Sequence, residues 1–149
     1  MTRHSFLAAV AITLALMCAD GIRADEDARY SDASVRQMVE RIEEAFPDAK
    51  KRESDELTLG AWEFVPGKRG MTRKQLFAKI GVEEKRLGRP NRGFFNDLKF
   101  ATWQLSHSYS ISIAYTVVSP VQDADSDDEV IAVYTVVIIK ADKDSVFGP

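Results

Sequence analysis

The 149-residue sequence holds one cysteine, Cys18, and two histidines, His4 and His107. A single cysteine excludes an intrachain disulfide and any multi-cysteine metal site, and with His4 in an N-terminal segment expected to be cleaved, the one remaining histidine excludes a multi-histidine centre. Stability must therefore come from packing a core. The chain also lacks a strong charge of one sign: its formal net charge is −3, so it is no global polycation. It lacks, finally, an apolar run long enough to cross a bilayer. The N-terminal run from Phe6 to Ala19, broken by Thr13, falls short of the roughly 20 residues a membrane span needs.

Arg3 and His4 before that run make residues 1–24 read as a signal peptide. Cleavage after Ala24 or after Gly21 both fit, and with either cut the remaining chain holds no cysteine. Lipidation at Cys18 is the alternative, with Met17 large where a lipoprotein signal prefers a small residue. The expected location is exported, periplasmic or secreted. Residues 25–30 are charged and aperiodic and read as a flexible leader. Residues 31–142 suit one domain, and 143–149 form a C-terminal tail.

Charge is unevenly placed along that domain. Lys68 to Lys99 carries ten Lys or Arg against Glu83, Glu84 and Asp97, whereas Pro120 to Pro149 carries seven acids against Lys140 and Lys143. Ser31, Asp32 or Ser34 can cap a helix whose apolar residues Val35, Met38, Val39, Ile42 and Phe46 recur at helical spacing, with Pro47 as its stop. The charge run Asp48 to Glu56 reads as a solvated connection. Leu57, Leu59, Trp62 and Phe64 suggest an irregular strand or turn ended by Pro66-Gly67. Gly70 to Gly81 reads as a short capped helix: Thr72 and Gln75 have the spacing of a capping box, Met71 and Leu76 that of a hydrophobic staple, and Gly81 that of a left-handed stop.

From Ala101 to Val118 large residues alternate with small or polar ones, the signature of strands with one buried face. A straight strand of that length would exceed about 50 Å, which predicts a turn near Ser106-His107-Ser108. Glu129 to Lys140 is apolar at both parities and reads as a central strand covered on both faces. The expected fold is α+β, two helices packed on one face of a three- to four-stranded antiparallel sheet. A homodimer contact or a docked partner would cover the other face.

Gly70, Met71, Thr72, Leu76, Ile80 and Gly81 together resemble the short helix of the SmpA/OmlA and beta-lactamase-inhibitor-like proteins, and Trp103 matches the aromatic that opens their antiparallel sheet. The resemblance spans about residues 70–140. Two departures stand out: Val82-Glu83 follows the closing glycine where the family commonly has a proline two residues on, and Pro66-Gly67 separates this helix from the preceding one. The resemblance implies a non-catalytic module that binds other proteins, as an envelope-assembly protein or an inhibitor of a secreted enzyme, without cofactor.

The residue inventory points the same way. His107 is the one histidine outside the signal segment, and alternation sends Ser106 and Ser108 to the opposite side of its strand, against a Ser-His-Asp arrangement. Its simplest reading is a histidine packed in a mainly apolar face. Asp123, Asp125 and Asp127 have calcium-loop spacing, but Asp128 and Tyr134 stand where an EF-hand requires Gly and Glu, so weak cation binding by residues 123–129 stays open and no metal site is assigned. The remaining candidate is the basic, aromatic segment Lys85 to Lys99. It is either a solvated loop anchored by Phe94, Phe95, Leu98 and Phe100, or a binding surface on which Arg86, Arg89, Arg92, Phe94 and Phe95 meet another envelope or secreted protein or an anionic envelope polymer. Export argues against nucleic acid. The alternative function is a small apolar-ligand carrier, binding between helices and sheet against Trp103, Tyr109 and Tyr115.

Overall fold

The first helix starts where hydrogen bonding and patterning say it should. α1 spans Asp32–Ala45; the Ser31 hydroxyl accepts from the Ser34 amide at 3.1 Å, and Asp32 adds negative charge to the first turn. Its stripe of Val35, Met38 and Ile42 is buried, and Phe46 closes it just before Pro47. The computed structural model describes residues 30–119 and 129–140. The expected signal peptide with Cys18, the leader apart from Tyr30, most of the acidic loop 123–129 and the tail 143–149 lie outside the described residues.

β1 (Lys50–Arg52) and β2 (Thr58–Thr72) follow, then α2 (Arg73–Ile80), a 3₁₀ turn (Glu84–Arg86), β3 (Asn91–Phe95), β4 (Leu98–Gln104), β5 (Tyr109–Ser119) and β6 (Val130–Lys140). α2 carries both reciprocal bonds of the capping box: Gln75 N to Thr72 Oγ1 at 3.1 Å, and Thr72 N to Gln75 Oε1 at 2.9 Å. Gly81 ends it in the left-handed region, φ 86° and ψ 28°. The Arg41 side chain lies over Gly81, in the space a Cβ would take, and it is the positive φ that calls for glycine.

All strand pairs are antiparallel, and the sheet has six strands in the order β1-β2-β6-β5-β4-β3. The expectation of three or four strands is therefore corrected to six. β1 lies inside the charge run, and all three of its residues are exposed, so no alternation marks it. β3 lies inside the basic segment, and β2 runs straight through the supposed stop at Pro66-Gly67. It can do so because β1 pairs β2 only from Ala61 to Glu63. Beyond Glu63 no strand among the described residues lies beside that edge of β2, and a proline there removes no donor from a described ladder.

Between Glu63↔Thr135 and Lys68↔Val133, β2 has four residues, Phe64 to Gly67, where β6 has only Tyr134. This wide bulge arches away from β6. The Val65–Pro66 peptide within it is cis, and Gly67 lies so close over Tyr134 that a Cβ would stand 2.9 Å from the ring.

The core is one large cluster. It joins Val35, Met38, Ile42 and Phe46 to Leu76, Phe77 and Ile80, and both groups to Trp62, Trp103, Ile111, Ile113, Val136 and Ile138 on the sheet. On the opposite parity stand two small clusters, Ala61 with Val137 and Ile139, and Phe100 with Ala114 and the partly buried Leu98. Between them the Thr102 and Ser112 hydroxyls bond at 3.0 Å. As expected from its two apolar parities, β6 is buried along almost its whole length.

Candidate functional site

The predicted turn at Ser106 to Ser108 is present, closed by the amides of Leu105 and Ser106, which both donate to the Tyr109 carbonyl. It puts His107 at an exposed tip, not on a packed face, which corrects the reading of that histidine. Ser106 is buried and donates its hydroxyl to Asp32 Oδ1 at 2.6 Å. That bond holds the Asp32 carboxyl below the usual carboxylate range, against the opposing effect of burial and with help from Ser108. The group is a pin between α1 and the β4–β5 turn: the hydroxyl donates its hydrogen bond to a carboxylate rather than to an imidazole base. Among the described residues no three His, Cys, Asp or Glu side chains stand together as a metal site, and no helix is long and apolar enough to cross a membrane.

Trp103, Tyr109 and Tyr115, the expected ligand-contacting residues, are all buried in the main core. Phe77 stands edge-on to Trp103, with ring centroids 4.9 Å apart. These three side chains are engaged in packing.

The basic segment is built differently. Tyr30, assigned by sequence to a flexible leader, is tied at three points: its amide donates to the Leu105 carbonyl at 2.8 Å, its hydroxyl accepts from the Glu83 amide at 2.8 Å, and the Arg86 guanidinium lies 4.0 Å over its ring. On the other side of the 3₁₀ turn, Glu84 pairs with Arg73 at 3.0 Å. Arg73 is itself buried, 5.7 Å from the Trp103 ring centroid. Successive residues of one turn are thus fixed to the chain before α1, to α2 and, through Arg73, to β4. Leu87 is buried immediately after.

From this anchor the chain passes Arg89 and Pro90 into β3, the last strand of the sheet on that side. Arg86, Arg89, Arg92, Phe94 and Phe95 are all exposed, Phe94 at 71% and Phe95 at 38% of their surface. Phe94 and Phe95 do not anchor the segment in the core; Phe100 does, with Leu98 packed against it. The pleat divides the candidates. Arg92 and Phe94, opposite Ala101 and Lys99, share the face that carries Trp103, whereas Phe95, opposite Leu98, stands on the other. The structure therefore brings Arg92, Phe94 and Lys99 together along an edge, pins Arg86 to Tyr30, and separates Phe95 from them. An edge strand with a cation–aromatic pair on one face can accept an extended chain by backbone pairing, with the side chains selecting its sequence.

A second feature was not foreseen. A cleft of about 400 Å³ opens between the end of α1 (Ala45 to Ala49) and the β2 arch with its following residues (Phe64 to Arg69). In sequence, Pro47 and Pro66-Gly67 read only as stops. What makes them walls is the three-residue excess of β2 over β6, a mismatch between two strands that one strand cannot reveal.

No known protein-family model, curated protein or solved structure matches this chain.

Proposed function

We propose that the chain is an exported, non-catalytic protein-binding module that captures an extended acidic segment of another envelope or secreted protein along β3. The observation that carries this reading is Phe94, 71% exposed on an edge strand and on the same face as Arg92. A fold that buries Trp62, Phe77, Phe100 and Trp103 almost completely leaves a phenylalanine on an edge at a cost in solubility, and binding is what offsets that cost. The exposed Lys85, Arg86 and Arg89 add positive charge before the strand, which favours an acidic partner and speeds encounter.

Export rests on the apolar run Phe6 to Ala19. The non-catalytic reading rests on the residue inventory and on the resemblance of Gly70-Met71-Thr72, the capped helix and Gly81 to SmpA/OmlA and beta-lactamase-inhibitor-like proteins. In this reading both helices cover one face of the sheet and the other face serves a homodimer contact.

The test is affinity capture from native envelope and secreted fractions with wild type, the double variant Arg89→Glu, Arg92→Glu, and Phe94→Ser; Arg86 is left in place because it packs on Tyr30. Loss of the same protein partner from both variants, with unchanged thermal unfolding, is expected. Retention of that partner by both would overturn the assignment to this edge, and capture of a polysaccharide or teichoic-type polymer in its place would transfer the site to an anionic polymer.

A further inference from the structure

The cleft at the end of α1 is polarised, and its polarity identifies a class of ligand. One wall is negative. The last turn of α1 carries no basic residue, its terminal carbonyls lack helical partners apart from Ile42, which accepts from Phe46, and Asp48 follows directly. The opposite wall is positive: Lys68 and Arg69 line it, both exposed and neither in an ion pair with a described residue. Lys68 pairs with Val133, a residue of the main core, so its side chain stands on the helix-bearing side of the sheet. The floor between the walls is apolar, with Phe46 and Phe64 meeting edge-on at 5.1 Å beside Ala45, Val65 and Pro66. Its volume lies at the small end of the roughly 300–1,000 Å³ typical of small-molecule sites.

We propose that this cleft binds a small zwitterion with an apolar side arm, a free aromatic or large aliphatic amino acid. The ammonium lies toward the α1 carbonyls and Asp48, the carboxylate toward Lys68 and Arg69, and the side chain on the Phe46–Phe64 floor. A simple anion would meet the helix C-terminus and Asp48 unfavourably, and a simple cation would meet Lys68 and Arg69; only a molecule carrying both charges satisfies both walls at once. The site is separate from the β3 edge, and the two proposals stand or fall independently.

The experiment uses the full chain and three probes of one size: L-phenylalanine, 3-phenylpropionate, which lacks the ammonium, and phenethylamine, which lacks the carboxylate. Binding is read by calorimetry or by chemical-shift titration. L-phenylalanine is expected to bind at least about tenfold more tightly than either truncated probe, the loss expected for one charged hydrogen bond. Lys68→Met should weaken L-phenylalanine and 3-phenylpropionate but not phenethylamine; Asp48→Asn should do the reverse. Val65→Trp, at a half-exposed position on the wall, should block all three. The proposal is overturned if 3-phenylpropionate binds as well as L-phenylalanine, if Val65→Trp leaves binding intact, or if none of the probes binds at millimolar concentration. Unchanged denaturation midpoints in these exposed-site variants separate lost binding from lost fold.

Discussion

The two edges of the sheet are defended in opposite ways. β1 is three residues long, all of them Lys or Arg and all exposed, and Lys51 is ion-paired to Glu43 of α1. Shortness and positive charge are standard means of keeping a second chain from adding on. β3 is five residues long, joined to β4 by a tight turn with Asn96 at φ 53°, and it offers Phe94 and Phe95 to solvent. It also stands on a firm base, since Tyr30, Glu84, Arg73 and Trp103 fix the turn that leads into it. An anchored edge with exposed aromatic rings is suited to pairing; a three-residue edge of cations alone is suited to refusing it.

The comparison can be broken first at its base. Phe77→Ala removes the ring that supports Trp103 under β4 and should cost about 3–5 kcal/mol of unfolding free energy. Hydrogen exchange should show the β3–β4 amides losing more protection than those of β1–β2, and equal loss would mean that the two edges share one support. Glu84→Gln removes the carboxylate paired with the buried Arg73 and should cost about 1.5–3 kcal/mol by urea denaturation. The Arg73 guanidinium, at 8% side-chain exposure, cannot turn to water instead.

A smaller effect concerns the acid limb of stability, where each side of the sheet has its own carboxylate. Asp32 is held below the usual range by Ser106. Asp55, in the β1–β2 connection, is also lowered: burial pushes it up, but the amides of Leu57 and Thr58 at 2.8 Å, with the Thr58 hydroxyl, outweigh burial. A depressed carboxyl adds stability that is present above its unfolded value, near 3.8, and lost as pH falls through the folded value. Denaturant melts of Asp32→Asn and Asp55→Asn should each show a shallower decline toward acid than wild type. A slope identical to wild type in both would mean that other groups govern acid unfolding.

The smallest effects on stability carry the sharpest functional contrast. Phe94→Lys gives β3 the character of β1, and Lys51→Val does the reverse; both should shift unfolding by no more than about 0.5 kcal/mol. Sedimentation and partner capture should nevertheless separate them. Phe94→Lys is expected to abolish capture, and Lys51→Val to promote self-association. Capture unaffected by Phe94→Lys would remove the functional meaning of the contrast.

Most parts of this fold that bury a face were legible in the sequence; β2 was so only as far as Phe64, because Pro66-Gly67 reads as its end. α1, the capped α2, β4, β5 and β6 announce themselves through spacing, because each must place apolar residues toward the core. The parts that bury nothing were not legible. Lys50 to Arg52 and Asn91 to Phe95 become strands through pairing with a neighbour, a property of the neighbour's register that leaves no period in their own side chains. Arg86, Arg89, Arg92, Phe94 and Phe95 could be singled out by composition, but the separation of Arg92 and Phe94 from Phe95 required knowing that β3 is pleated. The roles of Tyr30 and Arg73 come from contacts remote in sequence, and no local signal carries them.

The arch at Phe64 to Gly67 also separates two duties that most strands must combine. The ladder to β6 is set by Glu63↔Thr135 on one side and Lys68↔Val133 on the other, and no strand among the described residues flanks the arch on its outer edge. Residues added or removed between those two pairs change the shape of the cleft wall without moving the register, and lengthening such a loop costs only about 0.6 kcal/mol per doubling. The arch is therefore the natural graft point of this scaffold, where recognition can be rewritten while the sheet stays as it is.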